Sequence, residues 1–168
     1  SKIYDELNRN NIIDFFNKVL TKENRSEVED AILSAVYWIG TAQNDYDWDS
    51  AFLKYWTSME TILTISDQDI THRLVKGIST LTCSGGYPAL DLKKIDDQYN
   101  IISKLYDKRS KIIHRGMKGF ITPNELTAIC TNAIWSILVL IKIIPNGYKK
   151  IDHILHTIDH IYNENTKK

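Results

Sequence analysis

The sequence predicts an all-α fold, an up-and-down bundle of about five core helices with extra helices at the N- and C-terminal ends. Two observations carry this. Apolar residues recur at helical spacing from end to end, and no run alternates with the two-residue period of a strand. Most of the glycine and proline falls between the periodic runs, and a stretch from about Asp91 to Arg115 holds neither. At 168 residues the chain reads as one domain, large enough to bury a hydrophobic core, with that core spanning about 26–145.

Each helix has a local reason. "NIIDFFNKVL" is a short, weaker amphipathic segment that precedes the rest. "RSEVEDAILSAVYWIG" opens on a capping box: Ser26 takes the cap and Glu29 reaches back, ahead of an apolar face of Val28, Ile32, Ala35, Val36 and Ile39. The next helix starts near Asp47 and buries Phe52, Trp56, Met59 and Leu63. "ITHRLVKGISTLT" follows and is stopped by "CSGGYP". The long stretch ends at Gly116, a residue type that commonly closes helices. "TPNE" restarts the chain, with Thr122 as cap, Pro123 in the first helical position and Glu125 completing the box. That helix is expected to run to Pro145. "PNG" then turns into a last amphipathic helix through Tyr162, and the tail "NENTKK" is expected to fray.

Composition narrows the function classes. Equal numbers of basic and acidic residues give no global attraction to nucleic acid or to an anionic membrane, so any such affinity must be local. Cys83 and Cys130 form no CxxC pair and fit free thiols in a reducing compartment. With no visible secretory signal, the expectation is a cytoplasmic protein, and "NRS" at Asn24 carries no weight as a glycosylation site. The most apolar run, "AIWSILVLIKII", is broken by Lys142 and reads as a buried helix too short to cross a bilayer. The start at Ser-Lys suggests a domain cut from a longer protein. Gly85 and Gly86 are followed by no Gly-Lys-Ser/Thr and read as a plain turn.

The charges on the long helix stand out. At about 100° per residue, Ile102, Leu105, Tyr106, Ile112 and Ile113 share one broad face. Lys104, Lys108, Lys111 and Arg115 form a basic stripe opposite. Arg109 falls instead within the apolar face, between Leu105 and Ile113. On the helix from Asp47, Glu60 likewise falls between Leu53 and Trp56 in angle. An unpaired buried charge is costly, so these two are expected to pair, as a functional device or as a purely structural ion pair. His114 follows Arg109 by five positions, which on a straight helix points it about 140° away. The arginine can wrap, the last turn can loosen, or a second copy can bring the two groups together across a two-fold axis.

"LYDKRSKIIHRG" resembles the Arg-x4-His signature of the HEPN superfamily, and "YWTSMETILT" is similar to the acidic-residue helix of its ApeA-like branch. The resemblance covers roughly residues 26 to 145. It implies a helical bundle that dimerises through the helix ending at His114 and cleaves RNA without metal or other cofactor. Arg109 and His114 would be the catalytic pair, and Glu60 the partner that orients Arg109. Lys104, Lys108, Ser110, Lys111 and Arg115 would contact substrate. Ser110 departs from the asparagine, aspartate or histidine that many active members carry after the arginine. The implied partners are RNA, a second copy, and a sensor domain or antitoxin of an antiphage or toxin-like system, with no membrane. The alternative is a non-catalytic HEPN module for dimerisation, nucleotide binding or partner recruitment. Separately, His153, His156 and His160 share one face of the last helix. They could chelate zinc or nickel, but three ligands on one open helix lack a closed shell, and a solvated polar face is the plainer reading.

Overall fold

The computed structural model describes residues 12–65, 69–84, 90–144 and 147–166. Within them the regular structure is helical: α1 (Ile12–Thr21), α2 (Glu27–Gln43), α3 (Trp48–Leu63), α4 (Ile70–Ser84), a 3-10 turn (Leu92–Lys94), α5 (Ile95–Arg115), α6 (Pro123–Ile143) and α7 (Ile151–Thr166). No strand occurs among the described residues. The all-α bundle expected from the sequence is what the chain forms.

The starts and stops follow the chemistry read in the sequence. Ser26 Oγ accepts from the Glu29 N–H at 3.3 Å, while the Glu29 carboxylate accepts from the Ser26 N–H at 2.6 Å. Asp47 caps α3 by accepting from the N–H groups of Asp49 and Ser50. Thr122 and Glu125 form the second capping box, with Pro123 in the first turn. Gly116 closes α5 in the left-handed region at φ 61°, its N–H donating to the Ile112 carbonyl at 3.1 Å.

Packing is centred on α3 and α6. Phe52, Trp56, Met59, Ile62 and Leu63 line the buried side of α3, against Ile32 and Ala35 of α2 and against Ile129, Ala133 and Leu140 of α6. Helices α2 and α3 pair as sequence neighbours, as do α4 and α5, whereas α6 packs chiefly on α3 and α4. Helix α4 lies close to the end of α3: a Cβ added at Gly77 would come within 2.9 Å of Leu63 Cδ2.

Several expectations are corrected. Val36 is 37% exposed and lies at the edge of the buried face of α2, which runs through Val28, Ala31, Ile32, Ala35, Ile39 and Ala42. Ile113 is 47% exposed, because its neighbour Ile112 takes the core-facing position in the last turn of α5. Asp91 caps the 3-10 turn and not the long helix, which begins at Ile95. Helix α7 continues past Tyr162 to Thr166, its last turn back-bonded by Asn165 and Thr166 to the carbonyls of Ile161 and Tyr162. The apolar helix α6 packs in the core, as the sequence suggests, but with 21 residues it is longer than the run read there, long and apolar enough by length and composition alone to cross a membrane. The turns at Gly85–Gly86 and Pro145–Asn146 lie outside the described residues.

One tertiary tie had no sequence expectation. The buried Asp49 carboxylate accepts backbone N–H groups from Gly119 at 2.5 Å, Phe120 at 3.1 Å and Ile121 at 3.0 Å. It pins the segment after α5 to the start of α3. Asp49→Ala strands these donors and is expected to lower unfolding free energy by about 2–4 kcal/mol, since hydrogen bonds to charged groups are worth more than neutral ones. Urea denaturation checks this, and an unchanged midpoint would show the segment held by packing alone.

Candidate active site

The site is built where α3 and α5 cross. Arg109 projects from the apolar side of α5 and must meet an anion or reach water. It meets Glu60: its Nη2 donates to Glu60 Oε1, with side-chain exposures of 17% and 27%. A second hold comes from Tyr106, one turn earlier, whose hydroxyl accepts from Arg109 Nη1 at 3.2 Å. The guanidinium carbon lies 5.1 Å from the Tyr106 ring centroid. Tyr106 is itself set edge-to-face against the fully buried Trp56, with centroids 5.3 Å apart. The guanidinium is thus fixed from both sides at the edge of the core. Burial pushes the Glu60 carboxyl up from its ordinary 4.5, and Arg109 offsets that only in part.

The remaining candidates are placed differently. His114 is exposed in the last turn of α5 and makes no hydrogen bond or ion pair with the described residues. Among the described residues nothing joins it to Arg109 within one chain. Lys104, Lys111 and Arg115 are exposed, as expected of a basic stripe. Lys108 is not free to serve in it. Its ammonium pairs with Glu125 at 2.6 Å, donates to the Phe120 carbonyl at 3.3 Å and lies 4.6 Å from the Phe120 ring centroid. Burial favours protonation of Glu125, but the bonds from Lys108 and Thr122 outweigh it and hold the carboxyl below 4.5. Ser110 is half-buried, and its hydroxyl has no hydrogen-bond partner among the described residues.

Sequence reasoning missed three contributors. Tyr106 was counted as apolar packing, although a tyrosine three positions before a core-facing arginine lies on the same helical face. Glu125 was read as a cap alone, yet it also takes Lys108. Lys118, on the segment after α5, is a further exposed cation close to it in sequence. On the histidine face of α7, His156 Nε2 lies 3.5 Å from Asp152 and His160 Nε2 lies 3.3 Å from Glu164, all largely exposed. No group of three metal-ligating side chains converges among the described residues.

No protein-family model, curated protein or solved structure matches the chain. The chemistry of the site therefore rests on its own residues.

Glu60→Ala is expected to cost about 2 kcal/mol, between the limits for exposed and fully buried pairs, because the guanidinium is left part-buried without its anion. The pH dependence has a defined sign. With the folded carboxyl raised, the native state keeps a proton just above pH 4.5 that the unfolded chain has lost, so stability falls as pH rises through that window. The wild-type stability minus that of Glu60→Gln is therefore expected to fall across this range. A difference that stays level in denaturation curves would contradict the raised value.

Proposed function

We propose that this chain is a metal-independent endoribonuclease domain of the HEPN type, the effector part of an antiphage or toxin-like system. The observation that carries the reading is the guanidinium of Arg109, held by Glu60 and Tyr106 on a helix that ends in an exposed histidine among exposed cations. A structural arginine needs one anion. This one is also oriented by a phenol hydroxyl and stays partly open to solvent.

The chemistry follows from these groups. A neutral His114 imidazole takes the proton of an RNA 2′-hydroxyl, and the freed oxygen attacks the adjacent phosphorus. The bond from phosphorus to the 5′-oxygen breaks, the leaving oxygen takes a proton from the imidazolium or water, and a 2′,3′-cyclic phosphate remains. Arg109 stabilises the phosphorane through N–H donors not engaged by Glu60 or Tyr106, a role that planar guanidinium fills better than ammonium. Inward Arg109 and outward His114 favour a site completed across a homodimer, with α5 of two copies facing each other. Lys104, Lys111 and Arg115 hold the RNA backbone, and Lys118 extends that surface.

A second reading has specific support. Lys108 is neutralised by Glu125, and Arg109 and His114 are apart in one chain. Both fit a non-catalytic HEPN module that dimerises or recruits a partner.

Two measurements separate these readings. His114→Ala is expected to lower cleavage of single-stranded RNA by about 100-fold or more in the presence of EDTA, with RNA affinity largely kept. Intact cleavage by this variant, or its complete loss in wild type on adding EDTA, rules out the mechanism. Lys111→Ala is expected to reduce the slope of log affinity against log salt by about 0.7, the release expected for one phosphate contact on a single strand. Lys108→Ala is expected to change that slope less, because Glu125 already neutralises its ammonium. Equal effects would return Lys108 to the RNA-binding stripe.

A further inference from the structure

Glu60 accounts for the charge of Arg109 but not for the hydroxyl of Tyr106. The Tyr106 ring lies edge-to-face against Trp56, with centroids 5.3 Å apart, and its centroid is 5.1 Å from the guanidinium carbon. A phenylalanine would make both contacts. A hydroxyl at the core edge adds a polar group that is costly to desolvate unless it is hydrogen-bonded. It also brings no negative charge to balance the arginine. Its presence points to a task at the guanidinium.

Chemistry fixes the roles in this contact. A guanidinium has N–H donors and no acceptor, so at 3.2 Å the phenol oxygen accepts from Arg109 Nη1 and keeps its own proton. That O–H finds no acceptor among the described residues. The oxygen lies on the ring axis, so flips of the ring leave it in place and only its hydrogen turns. Nη1 carries a second hydrogen as well. Two donor groups thus stand side by side at the core edge. The arginine side chain is 17% exposed and the tyrosine is half-buried, so neither is sealed from solvent. An O–H whose oxygen accepts from a cation is the stronger donor for it, because hydrogen bonds in a chain polarise one another.

We propose that Tyr106 supplies a second donor to the phosphate that Arg109 holds: its O–H bonds one non-bridging oxygen while a free N–H of Arg109 bonds the same phosphate. The proposal rests on the ribonuclease reading and adds a catalytic residue to it. The phenol transfers no proton. It stabilises the charge that builds on the non-bridging oxygens as the 2′-oxygen adds to phosphorus. The bonds made and broken remain those of the cyclisation that His114 starts.

The test is Tyr106→Phe, which keeps the ring and removes the hydroxyl. Cleavage is measured on normal RNA and on the two separated phosphorothioate diastereomers, which carry sulfur at one non-bridging position of the scissile phosphate. Sulfur accepts hydrogen bonds weakly, so wild type is expected to be slowed by it in one diastereomer. The variant is expected to cleave normal RNA roughly 100-fold more slowly, with KM little changed, and to lose most of that sulfur effect. A tyrosine that merely steadies Arg109 leaves the sulfur effects of wild type and variant equal. That result overturns the proposal, as does an unchanged rate on normal RNA. The contact is also read without cleavage, in a crystal of the wild type soaked in inorganic phosphate. Tyr106 Oη is expected within hydrogen-bond distance of a phosphate that Arg109 also holds. A phosphate on Arg109 beyond reach of Tyr106, or none on Arg109, overturns the proposal. If the contact forms and wild type cleaves no RNA, the ribonuclease reading fails while the contact stands.

Discussion

The pairing of Arg109 with Glu60 is the constraint on which the candidate site depends. Both residues stand on faces that their helices turn toward the core, and neither position suits a lone charge. Once paired, they fix the contact of α3 with α5 at one level, because a shift along either helix would separate the charges. Tyr106 and Trp56 continue the same contact into the apolar interior, so the guanidinium is oriented by packing as well as by charge. Such pairs seldom improve stability over well-packed apolar side chains. That gives the position its functional interest: a cation kept at the core edge, partly open to solvent, is suited to stabilising charge that develops on a bound phosphate.

The surroundings divide the cations of α5 into two groups. Lys108 is turned against the following segment, where Glu125 and Phe120 hold it, and Asp49 ties the same segment to the start of α3. These ties brace the segment after α5 against Lys108 of α5 and against the start of α3. Lys104 and Arg115 remain in solvent, and Lys111, also exposed, lies 5.9 Å from the centroid of the same Phe120 ring. A helical wheel places all four on one stripe, but a loop folding back over one edge of that stripe changes its chemistry.

The fold and the Arg109–Glu60 pair were legible in the sequence because both rest on local periodicity. Helical spacing, two capping boxes and the closing glycine are written in short windows, and two charges misplaced on two apolar faces have few ways to be satisfied. What escaped depends on contacts distant along the chain. Nothing near Asp49 signals that it will receive the backbone of residues 119–121, some seventy positions later. The loss of Lys108 from the stripe likewise needs the path of the chain after Gly116. Ile113 and Val36 show the limit of the wheel itself: it gives the angle of a side chain but not whether a neighbouring element covers it.

Metal-free RNA cleavage by the double variant Glu60→Leu/Arg109→Met tests the central claim most directly. Replacing both members by apolar side chains of similar size removes the charges without stranding either one. The expected result is a folded protein with a melting temperature close to that of wild type and no RNA cleavage. A double variant that still cleaves RNA at the wild-type rate would contradict the account and leave the pair a structural element alone.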